Sequence, residues 1–253
     1  MADEVLTETR NRVMLITLNR PDARNAVNLS LAEQLATALE SLDADDSLSV
    51  GVLTGAGKGF SAGMDLKAFL TAGMPTVKGR GFAGITEHSC AKPLIAAIEG
   101  FALAGGLEIA LSCDLVVAAS GAKLGIPEAG VGLFAAGGAL LRLPRRVPYS
   151  IAMELALTAD PMTAEQAAQW GLVNRVTEPG EAVSVALELA ERIARNAPLS
   201  LVASKQALLE TQGRTEAEFW SFQRGLMDVF DSEDAKEGAT AFAEKRDPDW
   251  QGR

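Results

Sequence analysis

The chain has 253 residues, 48% of them hydrophobic, and a formal net charge of −10. This is enough apolar sequence for a sizeable core, and the acidic balance excludes non-specific nucleic-acid binding, although a few local Lys or Arg can still hold an anionic ligand. The single histidine, His88, excludes multi-histidine metal sites, and Cys90 and Cys113, which lack metal-ligand spacing, point to a reduced, cytoplasmic setting.

The start, Met1-Ala2-Asp3-Glu4, is acidic and no signal-type apolar run follows, so no targeting segment is expected. Val13 to Leu18 is a near-continuous apolar run, the mark of a strand covered on both faces. Asn19-Arg20-Pro21-Asp22 breaks it, and Ser30-Leu31-Ala32-Glu33 reads as a capping box opening an amphipathic helix to about Asp43. Val50 to Thr54 is a second buried strand, ending in the loop Gly55-Ala56-Gly57-Lys58-Gly59. Leu94 to Ile98 is a third; Gly105-Gly106 then opens a helix through Cys113, and Leu115 to Ala119 is a fourth strand. Strands alternating with helices predict an α/β architecture with parallel pairing. The apolar stretch from Pro93 to Leu111 is interrupted by Glu99 and Glu108, so no membrane span is expected.

The second half is helical. Thr163-Ala164-Glu165-Gln166 caps a helix reaching Trp170, which Gly171 ends. Helices follow over Glu181 to Asn196, Leu199 to Glu210, Thr215 to Asp231 and Asp234 to Lys245. No Gly/Ser linker divides the chain and no internal repeat is visible in it.

Two motifs fail their own context tests. Gly59-Phe60-Ser61-Ala62-Gly63 matches the nucleophile elbow of serine hydrolases, but an elbow follows its strand directly and six residues separate Thr54 from Ser61. The triad also needs a histidine, and His88 lies in a polar stretch. Gly55 to Gly59 resembles a phosphate loop only faintly, because Gly59 stands where Ser or Thr is needed after Lys58. No Gly-x-Gly-x-x-Gly with a following acidic residue supports nicotinamide or flavin chemistry.

Glu108 and Glu128, twenty residues apart, each sit in a glycine-rich, otherwise apolar setting. Burial among apolar residues raises a carboxyl pKa, and two such groups facing one another supply an acid and a base near neutral pH. A helix-terminus charge or a paired core ion is the competing reading of either one. The segments Ser61 to Leu66 and Gly105-Gly106 both turn from loop into helix, where early amides lack helical acceptors. Two such N-termini can aim two N–H groups at one carbonyl oxygen, and tight turns with close helix packing are the alternative.

At this point several motifs combine. Asn19-Arg20-Pro21-x-x-Arg24-Asn25-Ala26, Phe60 to Leu66, Lys92 to Gly100, Ala104 to Glu108 and Ser112-Cys113-Asp114 resemble, in order and spacing, the enoyl-CoA hydratase/isomerase (crotonase) superfamily. Pro127-Glu128, Gly132, Arg142, the Ala164 to Val173 pattern and Phe242 to Arg246 continue the match, which covers about residues 10 to 250. The resemblance implies a spiral of repeated ββα units over residues 1–195, holding an acyl-CoA site, and a helical region over residues 196–253 that packs on the core and on neighbouring subunits. It implies homotrimers or homohexamers, an acyl-CoA thioester substrate, and neither metal nor redox cofactor. By position it places oxyanion-hole amides on Met64 and Gly105, and coenzyme A contacts near Arg24, Ala26, Ala62, Gly63, Asp65, Leu66 and Gly106. Lys245 would reach the coenzyme A phosphates across a subunit contact. Both acid/base positions of the hydratases carry glutamate here, Glu108 and Glu128, so the resemblance implies water addition to a 2-enoyl-CoA; isomerase, carnitinyl-CoA-type dehydratase, acyl-CoA hydrolase and non-catalytic acyl-CoA binding are the alternatives. Three departures from the hydratase pattern bear on substrate choice: Ala104 for a common glycine, Met64 for a common alanine, and Leu133-Phe134-Ala135-Ala136-Gly137-Gly138 in place of a proline- and glycine-richer segment.

Overall fold

In the computed structural model, residues 3–253 are described; Met1 and Ala2, the first half of the acidic start, lie outside them. An antiparallel hairpin, β1 (Val5–Arg10) and β2 (Val13–Leu18), leads into α1 (Leu29–Ala44) and β3 (Val50–Gly55). Then come α2 (Leu66–Ala72), the short pair β4 (Thr76–Val77) and β5 (Gly81–Phe82), β6 (Leu94–Ile98), β7 (Phe101–Leu103), α3 (Gly105–Leu111), β8 (Leu115–Ala119) and β9 (Lys123–Gly125). The remainder is α4 (Ala139–Arg146), α5 (Tyr149–Thr158), β10 (Met162–Thr163), α6 (Ala164–Gln169), β11 (Arg175–Thr177), α7 (Ala182–Ala194), α8 (Pro198–Glu210), α9 (Glu216–Arg224) and α10 (Glu233–Glu244).

The main sheet has the order β1-β2-β3-β6-β8-β11, and every pairing after the first is parallel. Its apolar runs are buried on both faces, as their composition predicts. Val13, Leu15, Val50, Val52, Ile95, Ala97 and Val117 point to one side, where Ala182, Ala186 and Ala190 of α7 cover them. The alternate residues, among them Ile16, Leu18, Leu53, Leu94, Ile98 and Val116, belong to the larger core on the other side. There α1 buries Leu31, Leu35, Leu39 and Leu42, each stabilising by about 1.5–3 kcal/mol relative to exposure.

A second layer explains the spiral. Four times the chain leaves a main-sheet strand, adds one extended segment to a smaller parallel array, and returns through helical structure. The array runs from Val27, bridged to Met64, through Ser61, bridged to Ala102 in β7, to β9, which pairs parallel with β7; β10 closes it antiparallel. Two of these four segments are held in the array by isolated bridges alone, so the repeat lives in the backbone and leaves no periodic trace in the sequence.

Beyond α7, helices α8 to α10 pack on one another and on the core. Lys205 of α8 reaches Asp114 at 2.7 Å and donates to the Lys92 carbonyl at 2.9 Å. The terminus folds back, with Asp234 accepting from the Gln251 and Gly252 amides.

Two local expectations are corrected, and one unassigned stretch is filled. The cap of α1 is Asn28, whose side chain accepts from the Leu31 amide at 2.8 Å; Ser30 lies inside the helix and accepts from Gln34. Asn caps as well as Ser, and with Asn28 extended as the cap the helix starts two residues earlier than a Ser30 cap would allow. The helix expected over 215–231 is broken: α9 ends at Arg224, and Gly225 and Leu226 lead into a 3-10 turn, Met227–Asp231. Residues 139–158, not assigned from the sequence, form α4 and α5.

Candidate active site

The Ser61–Asp65 segment is held on both sides. The Ser61 hydroxyl donates to the Asn25 carbonyl at 2.8 Å and accepts from the Gly63 amide at 3.1 Å, wholly buried, with His88 exposed to solvent. Ser61 is thus a structural hydroxyl, and the nucleophile-elbow match is coincidental. The Gly63 carbonyl accepts from Val27, and the Asp65 amide donates back to Val27. Between these two bonds lies the Met64 amide, which donates to nothing among the described residues. Gly63 has φ +90°, and a Cβ there would lie 2.7 Å from the Gly105 nitrogen. Only glycine allows this turn to press against the start of α3.

The Gly105 amide opens α3 and likewise donates to nothing among the described residues, as expected for the first turn of a helix. Just before it, Ala104 sits at φ 53°, ψ −131°, a strained conformation for a residue with a side chain. One turn on, Glu108 projects from α3 and is only 4% exposed. Its Oε1 accepts from the Ala139 amide at 3.1 Å, at the N-terminus of α4, where helix amides favour negative charge. Burial raises its pKa; the Ala139 and Gly137 amides and the Arg142 guanidinium pull the other way.

Glu128 comes from the next repeat. β9 ends at Gly125, and Pro127 opens a 3-10 turn, Pro127–Val131, that carries Glu128. Burial, with a further push from Glu108, raises the Glu128 carboxyl to about 7. Its Oε2 is buried and has no hydrogen-bond partner among the described residues. An unpaired buried carboxylate oxygen is costly and has to be accounted for by a partner such as a ligand or water.

Both glutamates line one cavity of about 230 Å³, with Ala62, Met64, Leu66, Met74, Phe82, Ala104, Gly105, Pro127, Val131, Leu133, Phe134, Ala136 and Gly137. Of the residues expected at the site, Ala62, Met64, Leu66, Gly105, Glu108 and Glu128 therefore meet here. Gly63 and Gly106 stand behind the wall, Gly106 packed against the Ser61 carbonyl. Arg24 accepts through its carbonyl from the Ala62 amide, and the Ala26 carbonyl accepts from Arg20. Asp65 caps α2 and pairs with Arg20 at 3.1 Å, so its side chain serves the loop. Lys245 is exposed at the end of α10 and does not line the cavity.

Phe82, Met74 and Val131 are cavity residues that sequence reasoning missed, whereas Leu133, Phe134, Ala136 and Gly137 fall in the segment that it singled out beside Glu128. Phe82 comes from a two-residue strand with no pattern to reveal it, and a Cβ on Gly105 would lie 2.5 Å from its ring. Gly137 carried a signal in the Gly137-Gly138 pair. Among the described residues, no cluster of three or more His, Cys, Asp or Glu could hold a metal ion, and no helix is long and apolar enough to cross a membrane.

Residues 8–253 match the family model described as enoyl-CoA hydratase/isomerase. An enoyl-CoA hydratase from Mycobacterium tuberculosis, known by crystal structure, is 53% identical and superposes with a TM-score of 0.97 over 100% of both chains. A carnitinyl-CoA hydratase from Mycobacterium avium, also a crystal structure, is 44% identical with a TM-score of 0.81 over 100% of both chains. A carnitinyl-CoA dehydratase from Salmonella arizonae is 42% identical, covering 98% of this chain and 99% of its own length.

Proposed function

Because this chain belongs to the enoyl-CoA hydratase/isomerase family and has its crotonase fold, we propose that it is an enoyl-CoA hydratase, adding water reversibly across the 2,3 double bond of a 2-enoyl-CoA thioester. The observation that carries this reading is the Glu128 carboxyl: raised to about 7, with a buried oxygen lacking a partner, in the same cavity as Glu108 and two free backbone amides.

In the reaction, the thioester oxygen accepts from the Met64 and Gly105 amides. These donors stabilise the enolate that develops, and each such donor is worth about 10²–10³ in rate. Withdrawal of electrons makes C3 electrophilic. Glu108 takes a proton from the water that adds to C3, and Glu128 delivers a proton to C2. The proton therefore passes through a pair that carries one proton in both directions, and the two carboxyls titrate as a unit. No metal or redox cofactor takes part; coenzyme A belongs to the substrate. The coenzyme A moiety runs along the backbone of Arg24, Ala26, Ala62, Asp65 and Leu66, a path that Gly63 and Gly106 support from behind the wall, with Lys245 supplied by a neighbouring subunit.

The second reading is dehydration of a carnitinyl thioester, favoured by what several similar proteins are called. A trimethylammonium group needs an aromatic cage or a counter-charge. Phe82 and Phe134 are the only aromatic residues of the cavity, Glu108 is engaged by the α4 N-terminus, and Glu128 is half-protonated near pH 7. The walls fit an apolar acyl group against Met64, Leu66, Met74, Val131 and Leu133. Product analysis with crotonyl-CoA, a 3-enoyl-CoA and the trimethylammonium-bearing 2-enoyl thioester tests the assignment. Faster turnover of the 3-enoyl substrate makes it an isomerase, and faster turnover of the cationic one a carnitinyl dehydratase.

We further propose a trimer or a dimer of trimers working in the cytoplasm. Leu208, Phe230 and Phe242 on the C-terminal helical region are 70%, 73% and 88% exposed, an apolar surface of the kind that subunit contacts cover. The two cysteines are free and buried, as suits a reducing compartment.

A further inference from the structure

Arg142, on α4, lies outside the cavity lining, yet it ties together the elements that hold Glu108. One of its guanidinium nitrogens donates to the Thr86 carbonyl at 2.6 Å; the other lies 3.5 Å from the Gly137 carbonyl. Thr86 belongs to the buried turn after β5. Gly137 and Ala139 contribute the amides that bind the Glu108 carboxylate. The guanidinium thus anchors the turn at the start of α4 to a second segment, and from beyond ion-pair distance its charge draws the Glu108 carboxyl toward the ionised form. Burying an arginine is costly, and burial weakens this one's hold on its proton, with Arg146 and Arg145 on the same helix acting in the same sense. A cost of that kind needs a compensating role.

We propose that Arg142 is a positioning residue for Glu108: it fastens the Gly137–Ala139 turn that receives the Glu108 carboxylate and brings a guanidinium charge into the same cluster. The titratable groups bearing on this cluster are Glu128 from the 3-10 turn, Arg145 and Arg146 from α4, and the Cys113 thiol after α3, which burial pushes up to about 12 and so keeps neutral. Arg146 is itself committed to the Cys113 carbonyl at 2.8 Å, and Glu128 repels Glu108. Arg142 is the guanidinium whose charge draws Glu108 toward its ionised form. This inference rests on the hydratase reading for its kinetic consequence and on geometry alone for its structural one.

The two are tested separately. In a double-mutant cycle of melting temperatures at pH 8, Arg142→Gln lowers Tm by several degrees, and adding Glu108→Gln recovers part of the loss, because an uncompensated buried carboxylate has been removed. Strictly additive effects overturn the inference whatever reaction the enzyme catalyses. In the kinetic arm, Arg142→Gln moves the acid limb of kcat/KM for crotonyl-CoA upward by about one pH unit. Arg142→Lys, which keeps the charge but loses the fork, leaves that limb near its original place while lowering kcat. An acid limb unmoved in Arg142→Gln overturns the proposal. If the unsubstituted protein does not hydrate the thioester, the hydratase reading fails and the stability cycle alone decides. Should Arg142→Gln not fold, Arg142→Lys decides: a lowered kcat with an unmoved acid limb supports the proposal, and an unchanged kcat overturns it.

Discussion

Gly137 and Glu108 meet so closely that a Cβ at residue 137 would lie 2.5 Å from Glu108 Oε2. The carboxylate occupies the space a side chain would need. Gly137→Ala is therefore expected to push Glu108 out of position while leaving the fold intact, since residue 137 lies at a helix start with an ordinary backbone. A displacement of about 1 Å at a reacting group costs on the order of 10²-fold. Steady-state kinetics on crotonyl-CoA check this; an Ala variant within threefold of the parent in kcat contradicts it.

The Glu128 carboxyl makes a stability prediction of defined sign. Its folded pKa of about 7 lies above the ordinary glutamate value of 4.5. Between these pH values the folded state binds more protons than the unfolded, so stability falls as pH rises through this window. Glu128→Gln removes the titration. The variant should match the parent in melting temperature near pH 4.5 and exceed it above pH 7. Thermal melts across pH 4.5–8 measure this, and a constant difference over the series contradicts it.

The same pair sets the pH–rate profile. With one proton shared between Glu108 and Glu128, kcat/KM should fall above pH ~7 as that proton is lost. It should fall again in acid as the second carboxyl protonates. Because the acid limb belongs to the second carboxyl of the pair, the residual hydration activity of Glu108→Gln should lose that limb. An acid limb unchanged in that variant would show that the profile reports a group other than this pair.

Ala104 holds φ 53°, ψ −131° between β7 and α3. Such a conformation costs of order 1–3 kcal/mol in a residue other than glycine. Ala104→Gly should stabilise the enzyme by about 1 kcal/mol in chemical denaturation, part of the relief being offset by glycine's greater freedom when unfolded. A destabilised variant would mean that the Ala104 methyl group contributes packing that outweighs the strain.

How much of this was legible follows from particular residues. The parallel strands β2, β3, β6 and β8 announce themselves because Val, Ile and Leu are buried on both faces and leave unbroken apolar runs. β1 escapes, since five of its six residues are exposed and its place is set by pairing with β2. β7 and β9 escape for a different reason: three residues in a glycine-rich stretch carry no period, and only the spiral's geometry makes them strands. Glu108 and Glu128 were visible as carboxyls in apolar surroundings, but that they line one cavity is a consequence of successive turns of the repeat. Phe82, Met74 and Val131 reach the cavity through tertiary structure, and local sequence holds no trace of that, whereas the Leu133–Gly138 segment stood out only through the family resemblance. Ser61 shows the converse, a motif legible in sequence whose hydroxyl is spent on the Asn25 carbonyl.

The most direct test of the account is the loss of enoyl-thioester absorbance when the purified protein meets crotonyl-CoA, followed in parallel for Glu128→Gln and Glu108→Gln. The account predicts rapid loss with the unsubstituted protein and a rate about 10²–10⁴-fold lower in each variant, with both variants folded. Near-normal turnover in Glu128→Gln would contradict it, because the group assigned to deliver the proton to C2 would then be dispensable.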